Sequence, residues 1–117
     1  MKSEQLIVNI TSEQPEELKK FYEGTVGLEQ DPNSGGYRVG NALFAIDGHS
    51  ETKGQAKEPQ RVLISFMVDD LTAEQKRLEG KGVKFIRTAG REYWGGVIST
   101  FTDPDGNYIQ LIEYRPE

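Results

Sequence analysis

The sequence predicts an α+β fold built from two tandem βαβββ modules, and three observations carry the prediction. The order strand, helix, strand, strand, strand is readable twice along the chain. A Gly-Asn pair introduces an alternating apolar run in each half, Gly40-Asn41 before "ALFAI" and Gly106-Asn107 before "YIQLIEY". Between the halves lies "HSETKGQAKEPQ", a polar stretch without periodicity that reads as a linker. Module one then spans residues 1–48, the linker 49–60 and module two 61–117, together one domain of 117 residues.

In chain order, "QLIVNI" alternates as a strand does, and "TSEQPEELKKFYEGTVG" shifts to helical spacing with Leu18, Phe21, Tyr22 and Val26 on one face. Thr11 or Ser12 is placed to cap that helix, Pro15 suits its first turn, and Gly27 suits a left-handed end. The short strands "LEQ", "YRV" and "NALFAIDG" follow, divided by "DPNSGG" and by Gly40-Asn41. In the second half "RVLISFMV" is a strand and "DDLTAEQKRLEGKG" a helix capped by Asp70 and ended near Gly82. "VKFIRT", "GGVISTFTD" and "NYIQLIEY" complete the set as strands. Superposing the halves sets Ile10 on Val68, Gln5 on Leu63 and Gly40-Asn41 on Gly106-Asn107. The period is roughly 55 residues, a length at which self-similarity signals architecture.

Composition excludes several chemistries. With no cysteine, the chain has no disulfide, thiolate nucleophile or Cys-based metal site, and a single His rules out multi-imidazole centres. A net charge of −5 argues against a nucleic-acid partner and accommodates a neutral or cationic small ligand. The apolar runs are far shorter than the roughly 20 residues of a membrane span, and "MKSEQLIVNI" lacks a signal-peptide layout. A soluble, cytoplasmic protein without a membrane partner is expected. No Ser-His-Asp order or phosphate-binding glycine loop is present, and "GGYRVG" lacks the strand-to-helix context such a loop requires.

The stretches "PEELKKFYEGTVGLE", "VDDLTAEQKRLEGKGVKF", "EYWGG" and above all "FTDPDGNYIQLIE" resemble the vicinal oxygen chelate superfamily, which holds glyoxalase I, bleomycin-resistance proteins, fosfomycin-resistance enzymes and extradiol dioxygenases. The resemblance covers essentially the whole chain. It implies that the paired modules curl their mixed sheets into a cup around a ligand site, and that the protein forms a homodimer.

Enzymes of that superfamily carry metal ligands on the first and last strand of each module. By the resemblance and the duplication these positions become Gln5, Phe44, Leu63 and Gln110. Two amides, one ring and one aliphatic chain offer a divalent ion only neutral carbonyl oxygens, so the expectation is no metal and no cofactor. Asp47, His49 and Glu51 are a second place where an ion is conceivable, though their setting at the head of a polar linker reads as solvated surface. Glu113 lies three residues beyond Gln110 and therefore on the other face of its strand.

Alternation places Gln5, Ile7 and Asn9 on the cup side of the first strand, Leu63, Ser65 and Met67 on that of the fifth, and Tyr108, Gln110 and Ile112 on that of the last. With Phe44 and Trp94 these make the ligand-binding set: Gln5, Ile7, Asn9, Phe44, Leu63, Ser65, Met67, Trp94, Tyr108 and Gln110. Trp94 has two readings, as packing or, beside Tyr93 and two glycines, as a stacking wall for a flat ligand. The Asp103-Pro104-Asp105-Gly106-Asn107 turn reads as structural. Arg38 and Arg91 default to surface charge.

Three functions are open at this point. The first is metal-independent binding of a small organic molecule or drug, as in bleomycin-resistance proteins. The second is a metal-dependent lyase or dioxygenase of the glyoxalase kind. The third is a structural or partner-binding module with a filled cup.

Overall fold

The structure is a computed structural model and describes residues 1–116. The chain divides into two compact units, one ending at Gly54 and the other beginning at Gln55. The boundary thus falls inside the expected linker.

The first unit forms a four-stranded sheet in the order β1-β4-β3-β2 from β1 (Ile7–Ser12), β2 (Glu29–Gln30), β3 (Tyr37–Val39) and β4 (Ala42–Gly48). β1 runs parallel to β4, and the other pairs are antiparallel. A short helix, α1 (Pro15–Lys20), passes directly into a π-helical turn at Phe21–Val26. The wide turn ends on Gly27, at φ 89°, where the amides of Gly27 and Leu28 both donate to the Tyr22 carbonyl at 3.0 and 2.9 Å.

The expected cap differs in detail. β1 extends through Ser12, whose Oγ accepts the Gln14 N–H at 2.9 Å, and the helix starts behind Gln14 with no side-chain cap. Pro15, with its fixed φ and missing N–H, supplies the start instead. Leu18 and Tyr22 are buried against Tyr37, Phe44 and Ile46 of the sheet, with the Tyr22 and Phe44 rings edge to face at 4.9 Å. Burial pushes the Tyr37 phenol up to about 12, and Glu23, which accepts its hydroxyl at 3.2 Å, adds to the shift.

The second unit repeats the topology as β5-β8-β7-β6, from β5 (Ile64–Met67), β6 (Phe85–Arg91), β7 (Gly96–Thr102) and β8 (Tyr108–Tyr114). Here β5 runs parallel to β8, and β7 is antiparallel to both neighbours. Its helix, α2 (Leu71–Gly80), is longer and anchored twice at its N-terminus. Asp70 Oδ1 accepts the Ala73 N–H at 3.0 Å, as the sequence predicts, and Glu113 reaches from β8 to accept the Leu71 N–H at 2.7 Å. Leu71 and Leu78 are buried, as are Val97, Phe101, Ile109 and Leu111 of the sheet that α2 packs on. β6 is bulged around Ala89, held at φ 41° by the buried Ser99, whose Oγ accepts the Ala89 N–H at 2.9 Å and bonds Gln75 of α2 at 2.5 Å.

The two Gly-Asn turns are not one turn used twice. Val39 pairs with Ala42, so Gly40 and Asn41 alone make a two-residue hairpin turn, with Gly40 at φ 57°. Thr102 pairs with Tyr108, so the second connection takes residues 103–107. It is built on Asp103, whose carboxylate accepts the amides of Asp105 and Asn107 and the side-chain amide of Asn107, each at 2.9 Å.

The linker is irregular yet tied down near its middle, on either side of the boundary at Gly54. Thr52 and Thr11 share a hydroxyl hydrogen bond of 2.6 Å, and the Gly54 N–H donates to Glu13 at 3.0 Å. Beyond the boundary, Gln55 Nε2 donates to the Pro104 carbonyl at 2.9 Å and the Ala56 N–H to the Asp105 carbonyl at 2.8 Å. Among the described residues, no helix is long and apolar enough to cross a membrane.

Candidate ligand-binding face

Each sheet packs its helix on one side, and strand register decides which residues stand there and which stand on the face turned away from the helix, termed the open face. Residues paired across a ladder share a face, and successive residues alternate. In the first module Ile7 pairs with Leu43 and Asn9 with Ala45. These residues form the open face, where Ile7 is 56% exposed. Gln5 precedes β1 and is exposed.

Phe44 belongs to the other side. It pairs with Val8 and Tyr37, is 3% exposed, and packs on Tyr22 beneath the helix. The superposition of the Gly-Asn pairs misplaces it by one residue, because the turn before β4 is shorter in construction than the turn before β8. One residue of slip reverses a strand's facing. The open-face neighbours at that level are Leu43 and Ala45, both aliphatic.

In the second module the expected set comes together. Ser65 pairs with Gln110 and Met67 with Ile112, and Ser65 Oγ donates to Gln110 Oε1 at 3.0 Å. Tyr108, Gln110 and Ile112 are half-buried, and Met67 and Leu63 are exposed, Met67 at 69%. Towards β7 the same face holds Ile98, Thr100 and Gly96, all buried, opposite Ile112, Gln110 and Tyr114.

Trp94 stands at the end of this row. A Cβ added to Gly96 would lie 1.9 Å from Trp94 Cη2, so the indole rests where Gly96 has no side chain. Tyr93, Trp94, Tyr114, Arg91, Glu92 and Pro116 line a cleft of ≈ 500 Å³ there. Tyr114 is a member that sequence reasoning left out, although it continues the alternation of Tyr108, Gln110 and Ile112.

Ionisable groups near the face are drawn into structural pairs. Glu113 lies on the helix side, hydrogen-bonded by Arg115, and this contact with the Leu71 N–H holds its carboxyl below the usual carboxylate range. Arg38 pairs with Asp31 at 2.6 Å, and Arg91 donates to the Arg115 carbonyl at 2.6 Å. His49 Nδ1 accepts the Glu51 N–H at 3.1 Å. Among the described residues no three His, Asp or Glu side chains converge, so Asp47, His49 and Glu51 do not form a cluster.

The sequence model of the Glyoxalase/Bleomycin resistance protein/Dioxygenase superfamily matches residues 6–111. The chain belongs to that superfamily. Solved structures show the same fold. An integron cassette protein from the mobile metagenome of V. cholerae is 22% identical over 97% of each chain, with a TM-score of 0.74. A lactoylglutathione lyase from Agrobacterium tumefaciens is 18% identical, covering 92% of this chain and 91% of its own, with a TM-score of 0.72. A superfamily member from Sphaerobacter thermophilus is 23% identical over 97% of each chain, with a TM-score of 0.67. No curated protein matches the sequence.

The metal that enzymes of this superfamily use does not fit the donors present. Gln110 already accepts the Ser65 hydroxyl, Leu63 and Leu43 have no donor atom, and the nearest carboxylate on β8, Glu113, faces the helix. A divalent cation exchanges its hydration shell for charged oxygen or imidazole, and this set supplies neither.

Proposed function

We propose that this superfamily member binds a small organic molecule on the open face of its second module, without a metal ion. The observation that carries the reading is the Ser65–Gln110 pair, a hydroxyl and an amide set among Met67, Ile112 and Tyr108. An apolar surface with a few fixed polar groups is the usual composition of a small-molecule site. The ordered hydroxyl–amide pair orients a ligand by hydrogen bonding, while Met67 adapts to its shape. The bleomycin-resistance branch, whose proteins sequester a drug unchanged, is a functional parallel.

The reading also takes the protein as a cytoplasmic homodimer. Exposed apolar residues at edge strands support the association of two copies: Leu6 and Ile7 at β1, Val62 and Leu63 at β5.

A thermal-shift screen of small organic molecules, run beside elemental analysis of protein incubated with zinc, manganese, nickel and ferrous iron, tests the proposal. Expected are a ligand that raises Tm in the wild type but not in Met67→Lys, and metal far below one per chain. Stoichiometric metal lost on replacing Gln5, Gln110 or His49 would transfer the protein to the metal-dependent enzymes. No response from any compound would leave a structural module.

A further inference from the structure

We propose that Arg87 anchors an acidic group, so that the molecule bound on the open face of the second module is a small organic carboxylate with a second hydrogen-bond acceptor. The inference rests on the open-face reading above. It adds the class of ligand and the residue that selects it.

Strand register supplies the first observation. Ser65 pairs with Gln110, Gln110 with Thr100 and Thr100 with Arg87, so one polar row crosses all four strands on the open face. The row beside it, Met67, Ile112, Ile98 and Gly90, has no nitrogen or oxygen in its side chains. A polar track next to an apolar one suits a small amphipathic molecule.

Arg87 stands on this face because β6 breaks its alternation twice. Phe85 packs on Phe101 with ring centroids 5.3 Å apart, on the helix side, and regular alternation would put Arg87 there too. Register shifts on either side of Arg87 turn it to the open face and bring Gly90 to the same face three residues later. The second shift contains Ala89, whose φ of 41° strains a residue with a side chain and is held by Ser99. The guanidinium then lies where a side chain at Gly90 would stand, since an added Cβ would be 2.6 Å from Nε and Nη2. A strained bulge and a bare glycine together place one cation on the face.

Glu92 pairs with Arg87 at 2.8 Å, and the two side chains are 30% and 39% exposed. A partly exposed pair of this kind adds little stability and does not by itself offset the strain. A guanidinium has five N–H donors, so one carboxylate leaves others for a second acceptor.

The polarity of the row describes the rest of the ligand. Ser65 Oγ donates to Gln110 Oε1, so that oxygen is engaged and the amide Nε2 offers donors outward. Arg87 likewise offers only donors. With strands about 4.8 Å apart, Gln110 and Arg87 are about 10 Å apart along the row, with Thr100 between them. A carboxylate on Arg87 and a carbonyl or hydroxyl oxygen at Gln110 match the two ends of a short chain. The net charge of −5 acts at long range and is screened by salt, whereas a charge-assisted hydrogen bond acts at contact.

Calorimetry with levulinate, glutarate and adipate, each beside its amide, tests the assignment on wild type, Arg87→Gln, Arg87→Lys, Glu92→Gln and Gln110→Leu. Circular dichroism melting checks that each variant is folded. At least one acid is expected to bind about 10-fold or more tightly than its amide. Arg87→Gln removes that preference, Arg87→Lys restores part of it, and Glu92→Gln tightens the acid about 2- to 10-fold. Gln110→Leu weakens acid and amide alike. An acid preference that survives in Arg87→Gln overturns the anchor. Equal binding of acid and amide, lost in Gln110→Leu, overturns the anchor and keeps the open-face reading. An acid that needs Arg87 and ignores Gln110→Leu keeps Arg87 as an anion site and overturns the reading built on the Ser65–Gln110 pair. No binding by any acid or amide sinks the anchor.

Discussion

The first module turns from β3 to β4 with Gly40 and Asn41 alone, while the second takes five residues from β7 to β8 and ties them to one buried carboxylate, Asp103. Its helix is short and finishes in a wide π turn, whereas α2 runs from Leu71 to Gly80 and is held by Asp70 and Glu113. The open faces diverge likewise. Ile7, Leu43 and Ala45 are aliphatic around one Asn9, while the second face has a hydrogen-bonded Ser65–Gln110 pair and ends in aromatic rings. A shared topology thus carries two chemistries. The lesson is that turn length sets which residue of the following strand faces outward, and that facing, not position in a repeat, decides what lines each face.

The largest expected effect tests that facing. Phe44→Ala should cost about 3–5 kcal/mol in urea unfolding, the usual loss for a fully buried ring. Gln110→Leu, at the position the repeat equates with it, should cost less than about 1 kcal/mol. Comparable small losses at both would mean that Phe44 does not face the helix. Next in size, Asp103→Ala strands three donors and should cost about 2–3 kcal/mol, whereas Asn41→Ala in the two-residue turn should stay within about 0.5 kcal/mol. Equal costs would erase the distinction between the turns.

The modules also differ in how they meet extremes of pH. Glu113 titrates below its ordinary 4.5 because Arg115 and the Leu71 N–H stabilise its charge. A depressed folded value contributes stability above about 4.5 that disappears as pH falls through the folded pKa. The stability gap between wild type and Glu113→Gln should therefore be full at neutral pH and close in acid. Asp31 of the first module, held down by Ser34 and Arg38, shares the acid dependence. Tyr37 has the opposite sign. Its value is raised from 10.0 to about 12, so its contribution is intact below pH 10 and is lost as pH climbs towards 12. Wild type should lose stability over that interval and Tyr37→Phe should lose less, followed by circular dichroism with phenolate absorbance as the monitor.

The smallest effect sharpens the account of the second face. Gly96→Ala places a methyl where the indole rests, and the ring, being the free end of a side chain, swings away. Stability should change by less than about 1 kcal/mol, since of the Gly95-Gly96 pair it is Gly95 that takes a positive φ, while Gly96 lies in β7 where alanine is tolerated. Trp94 emission should move to longer wavelength as the ring enters water. An unchanged spectrum would mean that the indole does not sit on Gly96.

Much of the scaffold was readable from residue pattern. Alternation marked the strands, Asp70 announced its helix, Gly27 and Gly82 marked helix ends, and Asp103 in its Asp-Pro-Asp-Gly-Asn setting marked a structural turn. Each depends on neighbours within a few residues, which local propensity governs. The partly exposed Ser65, Met67, Tyr108 and Gln110 were legible too, because period-two facing follows once a strand is anchored by its own turn. Tyr114 obeys the same parity, yet a lone tyrosine near a chain end gave no local reason to count it.

Tertiary structure decided the rest. No sequence signal tells that Glu113 would cap α2 from 42 positions away, or that Ser99 would pin Ala89 in a bulge at positive φ. Nor does one tell that Trp94 would lie on Gly96. These contacts join residues distant along the chain, and their geometry exists only after strands and helix have packed. Phe44 shows the boundary between the two kinds of knowledge. Its burial was foreseeable from its apolar ring, but its side of the sheet depended on ladder pairing with Val8 and Tyr37, which a long-range register alone fixes.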